Sequence, residues 1–581
     1  MHSVLVANRG EIAVRVIRGI REMGLRAVAV YSELDRDALH TRIADEAWNV
    51  GPAPAAESYL DIGSILRAAA EAKVDAIHPG YGFLAENAEF ARRVIKAGFT
   101  WIGPPPDAII AMGDKISSRK VAEQAGVSGV PGTMEPLHTA EEVERVAEEF
   151  GYPIAIKAAH GGGGKGLRVV RERSEVASAF EAASREADAY FNNPEVYVEK
   201  YLEQPRHVEA QIIFDQHGNG FFLGERDCSL QRRHQKLIEE TPSPVMSDKQ
   251  RKAMGKAALA IARAAGYVNA GTVEFLVDRS GDFYFLEMNT RLQVEHTVTE
   301  MVTGIDLVRE QLRVAMGEKL DLAVEPRGHA IEFRVNAEDP ATGFLPSPGT
   351  IVEYQEPGGF GVRVDSGYGP SSTVSQYYDN LVAKLVVWGR DRSEAIERSR
   401  RALGEFRVTG IATTIPFHLM ALDDASFIAG THHTRTVEED MDLSGLTHPA
   451  ASVLPSDEEM AEREMTVEVG GRKFVVRLWS PEIPIAGVAG RRQTPRRRPP
   501  KLTQARPAAE NEGTVTAPMQ GTIVKVYRKA GDRVSAGEPL IILEAMKMEN
   551  EVRAPLDGEI VDLRVQPGDR VSAGAVLAII K

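Results

Sequence analysis

Leu543-Glu544-Ala545-Met546-Lys547-Met548-Glu549 lies between two copies of one pattern. The first copy reads Ala517-Pro518-x-x-Gly521-x-Ile523-Val524, then Gly531-Asp532-Arg533-Val534-Ser535-Ala536-Gly537-x-x-Leu540. The second, 37 residues later, reads Ala554-Pro555-x-x-Gly558-x-Ile560-Val561, then Gly568-Asp569-Arg570-Val571-Ser572-Ala573-Gly574-x-x-Leu577. Lys547 is equidistant from Ala517 and Leu577. Short apolar runs punctuated by Ala-Pro and Gly-Asp turns mark β-strands. Duplication of such a unit predicts an all-β flattened barrel over 513–581 with pseudo-two-fold symmetry. The segment joining the halves becomes a protruding turn, which displays one primary amine as a place to attach a group. An ordinary exposed lysine is the plain alternative.

The other 512 residues of this 581-residue chain leave room for several more domains. Hydrophobic and charged contents of 43% and 26% are those of globular material. No run of eighteen apolar residues predicts a membrane span, and the N-terminus reaches Arg9 too soon for a signal peptide. A net charge of −14 argues against a general nucleic-acid binder. The single cysteine, Cys228, excludes an intrachain disulfide and fits a cytoplasmic location.

Working back towards the N-terminus, 488–512 is rich in arginine and proline around Arg496-Arg497-Arg498-Pro499-Pro500 and reads as a flexible linker. An electrostatic dock for an acidic partner is the alternative. Residues 441–487 form a small β-containing region. In it, Met465–Val469 and Lys473–Leu478 joined at Gly470-Gly471 read as a hairpin. The region 331–440 is mixed α and β. Residues 1–112 alternate strands (Ser3–Val6, Arg26–Tyr31, Ala76–His78) with helices (Glu11–Met23, Ile62–Ala72, Ala88–Ala97), which predicts a parallel sheet. The dinucleotide glycine fingerprint is missing after the first strand, so NAD binding is not indicated.

The region 113–330 carries most of the chemistry. His160-Gly161-Gly162-Gly163-Gly164-Lys165-Gly166 follows the predicted strand Pro153–Ala158. Consecutive glycines free backbone N–H groups to approach an anion, and Lys157 and Lys165 add positive charge. The Walker pattern is absent, so a plain surface loop stays open as an alternative. Gly271–Val277 and Asp282–Met288 read as strands joined by Asp278-Arg279-Ser280-Gly281. That loop predicts Val277 opposite Asp282 and Glu274 opposite Phe285, with Phe285, Glu287 and Asn289 on the face of Glu274. Two carboxylates and an amide oxygen on one face suit a hard cation such as Mg²⁺ beside phosphates, unless the face is merely solvated. In the next segment, Arg291, Gln293 and Glu295 fall at period two. An arginine fork can hold a small planar oxyanion, and a glutamate beside it can act as a base. As spacing alone, an ordinary half-exposed strand would look the same.

At these residues the chain resembles the biotin-dependent carboxylases, specifically the bacterial acyl-CoA carboxylase α-subunit type. The resemblance is carried by Ala7-Asn8-Arg9-Gly10-Glu11-Ile12-Ala13, by His78-Pro79-Gly80-Tyr81-Gly82-Phe83-Leu84-Ala85-Glu86-Asn87 and by the glycine loop. It extends through Glu225-Arg226-Asp227-Cys228-Ser229-x-Gln231-Arg232-Arg233-His234-Gln235-Lys236 and Glu287-Met288-Asn289-Thr290-Arg291-x-Gln293-Val294-Glu295-His296 to Glu544-Ala545-Met546-Lys547-Met548-Glu549. It implies an α/β and α+β multidomain chain: a biotin carboxylase N-terminal domain at 1–112, an ATP-grasp domain at 113–330 with a lid at about 130–203, a C-terminal carboxylase domain at 331–440, and the carrier at 513–581.

The same resemblance implies site roles. Lys115, Lys157 and the lid glycines Gly162, Gly163 and Gly164 would meet ATP phosphates. Glu199, Lys200 and Leu202 would line the adenine pocket, and His207, Gln231 and His234 the ribose side. Glu274, Glu287 and Asn289 would hold Mg²⁺ or Mn²⁺. Lys236, Arg291, Gln293, Val294 and Glu295 would hold bicarbonate, with Glu295 as base, and Arg334 would offset charge developing on biotin. Lys547 would carry covalent biotin. Two stretches depart from the family pattern: His160 stands where a small residue is common, and Thr431-His432-His433-Thr434-Arg435 does not align clearly.

The implied reaction joins ATP, bicarbonate and biotinyl-lysine to give ADP, phosphate and carboxybiotinyl-lysine, through carboxyphosphate. No stretch after 440 is large enough for a carboxyltransferase, so the resemblance implies a separate carboxyltransferase β subunit, with 441–487 as a docking element by analogy. It also implies a biotin protein ligase and a homo-oligomeric carboxylase within a larger α/β complex. The acceptor is expected to be acetyl-CoA or propionyl-CoA; methylcrotonyl-CoA, pyruvate or urea, or a non-catalytic carrier scaffold, are the alternatives.

Overall fold

The computed structural model describes the chain except residues 134, 159–167, 192–194, 448–459, 470–471, 482–512, 518–520, 546–547 and 572–573. It divides into two compact units, Met1–His448 and Pro449–Lys581.

The first unit begins with a five-stranded parallel sheet. Its order is Glu46–Gly51, Arg26–Ser32, Ser3–Val6, Ala76–His78, Thr100–Trp101. Val4, Leu5 and Val6 are buried on both faces, as a central strand flanked by helices requires. The helices Gly10–Glu22, Ile62–Glu71 and Ala88–Lys96 match the expected ones within a residue or so. Asp61 and Asn87 cap the second and third by accepting backbone N–H groups.

An eight-stranded antiparallel sheet forms the centre of this unit. Its order is Phe283–Asn289, Asn269–Val277, Arg206–Phe214, Gly220–Arg232, Gln235–Thr241, His329–Asn336, Leu381–Gly389, Val362–Ser366. One sheet therefore spans the segments 206–289 and 329–389, and one of its faces can gather polar side chains from both. A separate three-stranded sheet, Arg168–Val170, Ile154–Ala158 and Val196–Lys200, packs with the helices Ala140–Phe150 and Val176–Phe191 around Val143, Ile154, Ile156, Val170 and Val198.

The hairpin between Asn269–Val277 and Phe283–Asn289 differs in register from the sequence expectation. Val277 pairs with Phe283, and Glu274 pairs with Glu287 rather than Phe285. The connection is one residue longer than expected, because Asp282 belongs to it. There Asp278 Oδ1 accepts from the backbone N–H groups of Ser280 and Asp282, and Gly281 takes a left-handed φ of 87°. A bulge between Glu274 and Phe275 then absorbs Leu286, so Phe285 opposes Phe275. Phe285 consequently lies in the core with Phe275, Val273 and Val277, on the face opposite Glu287 and Asn289.

In the second unit, Met460–Val469 and Arg472–Pro481 pair antiparallel up to Val469 and Arg472, a longer hairpin than expected. The carrier region forms two four-stranded sheets. One runs Thr514–Thr516, Val576–Ile580, Gly558–Leu563, Arg533–Val534; the other runs Met548–Arg553, Pro539–Ala545, Gly521–Val526, Arg570–Val571. Each repeat lends its short strand to the other repeat's sheet, an arrangement with the pseudo-two-fold symmetry that the duplication predicts. Strands Pro539–Ala545 and Met548–Arg553 pair up to Ala545 and Met548. Lys547 itself, Gly162, Gly163, Gly164, His160 and the linker 488–512 lie outside the described residues.

Candidate active site

Four strands of the large sheet, from a run of five that also includes Gly220–Arg232, send charged side chains to one cluster. Glu209 comes from Arg206–Phe214, Glu274 from Asn269–Val277, Lys236 and Glu239 from Gln235–Thr241, and Arg334 from His329–Asn336. Lys236 and Glu239 share a face because Gln231 pairs with Lys236 while Leu230 pairs with Ile238, leaving Leu237 as an extra residue. Glu295 enters from a loop, at the start of the helix His296–Thr303. Residues 290–295 are not a strand, so period two is not what brings Gln293 and Glu295 to the site.

Glu295 is fully buried and bridges two cations. Its Oε1 lies 2.6 Å from Lys236 Nζ and its Oε2 2.8 Å from an Arg334 guanidinium nitrogen. Burial alone would raise this carboxyl, but Lys236, Arg334 and Arg226 outweigh it and hold it well below the usual range. Lys236 also contacts Glu209 at 2.5 Å and Glu274 at 3.1 Å. Burial opposes its charge, while Cys228, Glu209, Glu274 and Glu295 hold the ammonium well above its ordinary value. Arg334 pairs with Glu239 at 2.5 Å, and burial pushes the Glu239 carboxyl up to about 8 against the pull of Arg334. The result is an ionised carboxylate held between two committed cations, with a second, reluctant carboxyl behind one of them.

Gln293 donates to Glu274 at 2.9 Å, and Asn289 donates to the same oxygen at 2.7 Å. Arg291 spans Glu86 at 2.8 Å and the Asn289 amide oxygen at 3.0 Å. The Val294 carbonyl accepts from Lys384 Nζ at 2.9 Å. His207 places Nε2 2.8 Å from Glu274, which outweighs burial and raises the imidazole pKa. His234 is elsewhere: it sits exposed in the turn after Gly220–Arg232 with a φ of 65°, while Gln231 is buried beside Lys236.

Lys157 meets Glu199 at 2.5 Å, and Arg119 approaches the same carboxylate at 3.4 Å. Lys200 donates to the carbonyls of Gly151 and Tyr152 at 2.8 and 3.2 Å, and Leu202 is half-buried just past its strand. Lys115 opens the helix Lys115–Gln124 and acts electrostatically on Glu287.

Glu274 and Glu287 stand directly opposite across the strand pair, with Asn289 two residues along on the same face. Like charges so placed repel. Burial and then Glu274 push the Glu287 carboxyl up, while His207 and Lys115 oppose them. Two carboxylates and an amide oxygen form a donor set that fits a hard divalent cation. His207, Glu209 and Glu274 also bring ligand atoms within 4.8 Å of one another. There, however, the Lys236 ammonium already stands between Glu209 and Glu274 as the cation.

Sequence patterns did not point to Glu86, Glu209, Arg226, Glu239 or Lys384 as members of the site. Arg226 is wholly buried and spans Glu209, Gln211, Thr272 and Thr299. Glu209 could have been found from its period-two spacing from His207, and Glu86 and Arg226 lie inside the motifs that carry the family resemblance. Glu239 was hidden by the bulge at Leu237, and Lys384 lies in an otherwise apolar strand with no local signal.

Four family models match the chain: "Biotin carboxylase, N-terminal domain" at 1–109, "Carbamoyl-phosphate synthase L chain, ATP binding domain" at 114–323, "Biotin carboxylase C-terminal domain" at 332–439 and "Biotin-requiring enzyme" at 513–580. A biotin-dependent acyl-coenzyme A carboxylase alpha3 subunit from Mycobacterium leprae is 51% identical over 94% of this chain and 93% of its own. A pyruvate carboxylase subunit from Methanothermobacter thermautotrophicus is 50% identical over 81% of this chain and 96% of its own. The crystal structure of the biotin carboxylase domain of Hydrogenobacter thermophilus 2-oxoglutarate carboxylase, with MgADP, ADP and bicarbonate, is 45% identical. It covers 77% of this chain and 99% of its own, at a TM-score of 0.70.

Proposed function

The chain belongs to the biotin-dependent carboxylases, and from that premise we propose that it is the α subunit of an acyl-CoA carboxylase. It is an ATP-dependent biotin carboxylase with its own biotin carrier domain. In the proposal its carboxyl group passes to a separate carboxyltransferase that works on acetyl-CoA or propionyl-CoA. The observation that carries this reading is the match with the mycobacterial acyl-CoA carboxylase protein over 94% of the chain, carrier included. A pyruvate acceptor is the second reading, favoured by the likeness to the archaeal pyruvate carboxylase. Reconstitution with the carboxyltransferase that co-purifies with the chain tests it. Incorporation of labelled bicarbonate into acetyl-CoA or propionyl-CoA supports the proposal; incorporation into pyruvate alone refutes it.

For the first half-reaction we propose the roles that the family resemblance implies, and the described geometry supports several of them. Glu274, Glu287 and Asn289 would hold Mg²⁺ or Mn²⁺, which supplies charge neutralisation at the phosphates. Lys115 and Lys157 face nucleotide phosphates, and for Lys157 this means exchanging Glu199 for phosphate oxygens. Gly162, Gly163 and Gly164, outside the described residues, are given the same phosphates by the family resemblance alone. Glu199, Lys200 and Leu202 border the adenine, and Gln231 the ribose side. His207 supports Glu274, whereas His234, exposed in its turn, reaches the nucleotide only if that turn approaches it.

Arg291, Gln293, Lys236 and the Val294 backbone hold bicarbonate beside Glu295. Bicarbonate inserting between Glu295 and Lys236 takes one cation away from the carboxylate. The carboxylate then becomes a stronger base, next to the proton it must remove. Arg334 is left to stabilise negative charge on the biotin ureido group, with Glu239 orienting the guanidinium. Lys547, at the pseudo-two-fold centre of the carrier, is the attachment lysine, recognised by a biotin protein ligase. The domain limits 1–112, 113–330, 331–440 and 513–581, the linker at 488–512, docking through 441–487 and a homo-oligomeric carboxylase core complete the proposal.

A further inference from the structure

Lys384 is buried completely, in the middle of the strand Leu381–Gly389. A lysine so placed needs a compelling set of partners, because burying an unpaired ammonium is prohibitive. Its cross-strand neighbours are Arg334 on one side and Asp365 on the other. Its Nζ donates to the Val294 carbonyl at 2.9 Å, lies 3.3 Å from Glu11 Oε2 and stands 4.0 Å from Asp365. The face of Tyr81 lies 5.9 Å away. Asp365 is engaged mainly by Arg363 through two short bonds, so it is a distant partner.

These contacts join three segments far apart in sequence. Glu11 belongs to the helix Gly10–Glu22 beneath the parallel sheet, Val294 to the loop that carries Gln293 and Glu295, and Lys384 to the large sheet. The side chains of that loop are anchored at Glu295, by Lys236 and Arg334, and at Gln293, which donates to Glu274. On its downstream side, His296 holds the Gln293 carbonyl through Nδ1 at 2.7 Å. Upstream, Thr290 and Arg291 are tied to Glu86. The peptide unit between Val294 and Glu295 is held by Lys384. Glu11 has no well-aligned hydrogen bond on either carboxylate oxygen. Its role towards Lys384 is charge compensation, while the directional bond goes to Val294.

We propose that Lys384 is a positioning residue for bicarbonate activation. By fixing the Val294 carbonyl it sets the plane of the Val294–Glu295 peptide, which holds the chain at Val294 and aims the Glu295 carboxylate between Lys236 and Arg334. Glu11 neutralises the buried ammonium without taking its directional bond. This rests on the reading of Glu295 as the base.

Removing Lys384 alone would strand Glu11 as a buried charge and confuse positioning with stability. The test therefore compares Glu11→Gln with the double variant Glu11→Gln/Lys384→Met, which carries no buried charge at either position. Bicarbonate-dependent ATP hydrolysis is measured with free biotin, alongside ADP affinity by calorimetry. Glu11→Gln leaves Lys384 its bond to Val294 and Asp365 at 4.0 Å, so it is expected to lower thermal stability and still keep kcat within about twofold. The double variant is expected to lose roughly 10–100-fold in kcat and to raise the bicarbonate KM, with ADP affinity unchanged, as for an ångström-scale misplacement of a catalytic group. Equal kcat and bicarbonate KM in the two variants would overturn the proposal, and so would a loss in Glu11→Gln as large as in the double variant. If the methionine variant does not fold, Glu11→Gln/Lys384→Gln takes its place, since glutamine is polar but too short to reach Val294. Glu295→Gln in the same assay keeps the two readings apart. Full activity there removes the base assignment, whereas full activity only in the double variant removes the role of Lys384.

Discussion

Replacing Glu295 by glutamine keeps the size of the side chain and deletes its charge. Its two cations do not become unpaired: Lys236 keeps Glu209 and Glu274, and Arg334 keeps Glu239. The stability loss should therefore fall short of the roughly 3–5 kcal/mol for breaking a buried pair outright. Weakening two charge-assisted hydrogen bonds suggests about 1–3 kcal/mol. Catalysis should suffer more, because a general base contributes roughly 10²–10⁴-fold. That range corresponds to about 2.7–5.5 kcal/mol of barrier. The assay is bicarbonate-dependent ATP hydrolysis with free biotin, read beside ADP affinity and thermal unfolding. Turnover should fall by two to four orders of magnitude, roughly as above, while ADP binding stays near normal. In the native chain the carboxyl is held well below its usual range, so Glu295 should remain ionised to below about pH 4, where an ordinary glutamate would protonate. Native-like, bicarbonate-dependent turnover in Glu295→Gln would refute the base assignment, and parallel loss of ADP binding would reassign the residue to the nucleotide site.

Three further outcomes are expected. Glu287→Gln removes one of two opposed carboxylates, so the nucleotide-free protein should gain about 0.2–1 kcal/mol in thermal unfolding. The same variant should bind Mn²⁺–ADP at least several-fold more weakly by calorimetry, and unchanged metal dependence would remove Glu287 from the metal set. Burial pulls the His418 imidazole down to about 4, although its Nε2 bonds the Arg334 carbonyl at 2.7 Å. The unfolded chain therefore binds this proton more readily, so its stability contribution is full above about pH 6.5 and is lost as pH falls towards 4. His418→Gln should relieve about 2 kcal/mol of the destabilisation at pH 5 relative to pH 8, measured by denaturant unfolding; an unaltered pH slope would contradict this. Mass spectrometry of the native chain should find a single biotinyl adduct; Lys547→Arg should abolish it yet preserve carboxylation of free biotin, and an adduct persisting on the variant would place the attachment elsewhere.

The sequence reached different depths in different parts of the fold. Ser3–Val6 and Arg26–Ser32 were legible because central parallel strands are apolar on both faces. Glu46–Gly51 was not, since an edge strand exposes Glu46, Ala47 and Asn49 and loses the apolar signature. The carrier repeat was readable to the level of pseudo-two-fold symmetry, because a duplicated pattern constrains symmetry before any coordinate is known; the exchange of short strands between its sheets was not. Single-residue irregularities blurred the site. The bulge at Leu286 put Glu287 opposite Glu274 and turned Phe285 into the core, and the bulge at Leu237 brought Glu239 beside Lys236. Alternation counts residues and cannot see an extra one. Lys384 illustrates a second limit, because its partners come from positions 11, 294 and 365, and nothing local marks such a residue.

The charges of the site carry one more implication. Glu209, Glu239, Glu274, Glu287 and Glu295 are grouped around Lys236, Arg226 and Arg334, so carboxylates outnumber the permanent cations. The surplus is met by protons: Glu239 is pushed up to about 8, Glu209 and Glu287 are raised, and His207 is raised by Glu274. A site in this condition is poised to exchange protons for a divalent cation. The exchange would fall at Glu287, whose carboxyl burial and Glu274 push up, while Glu274 is itself held ionised by Lys236 and His207. It would leave the Lys236–Glu295–Arg334 chain intact for bicarbonate. The two strand bulges thus set one raised carboxyl, Glu287, beside the ionised Glu274 at one end of the cluster, with Lys236 linking Glu274 to the ionised Glu295, and that arrangement lets one sheet face serve a metal–nucleotide and an oxyanion side by side.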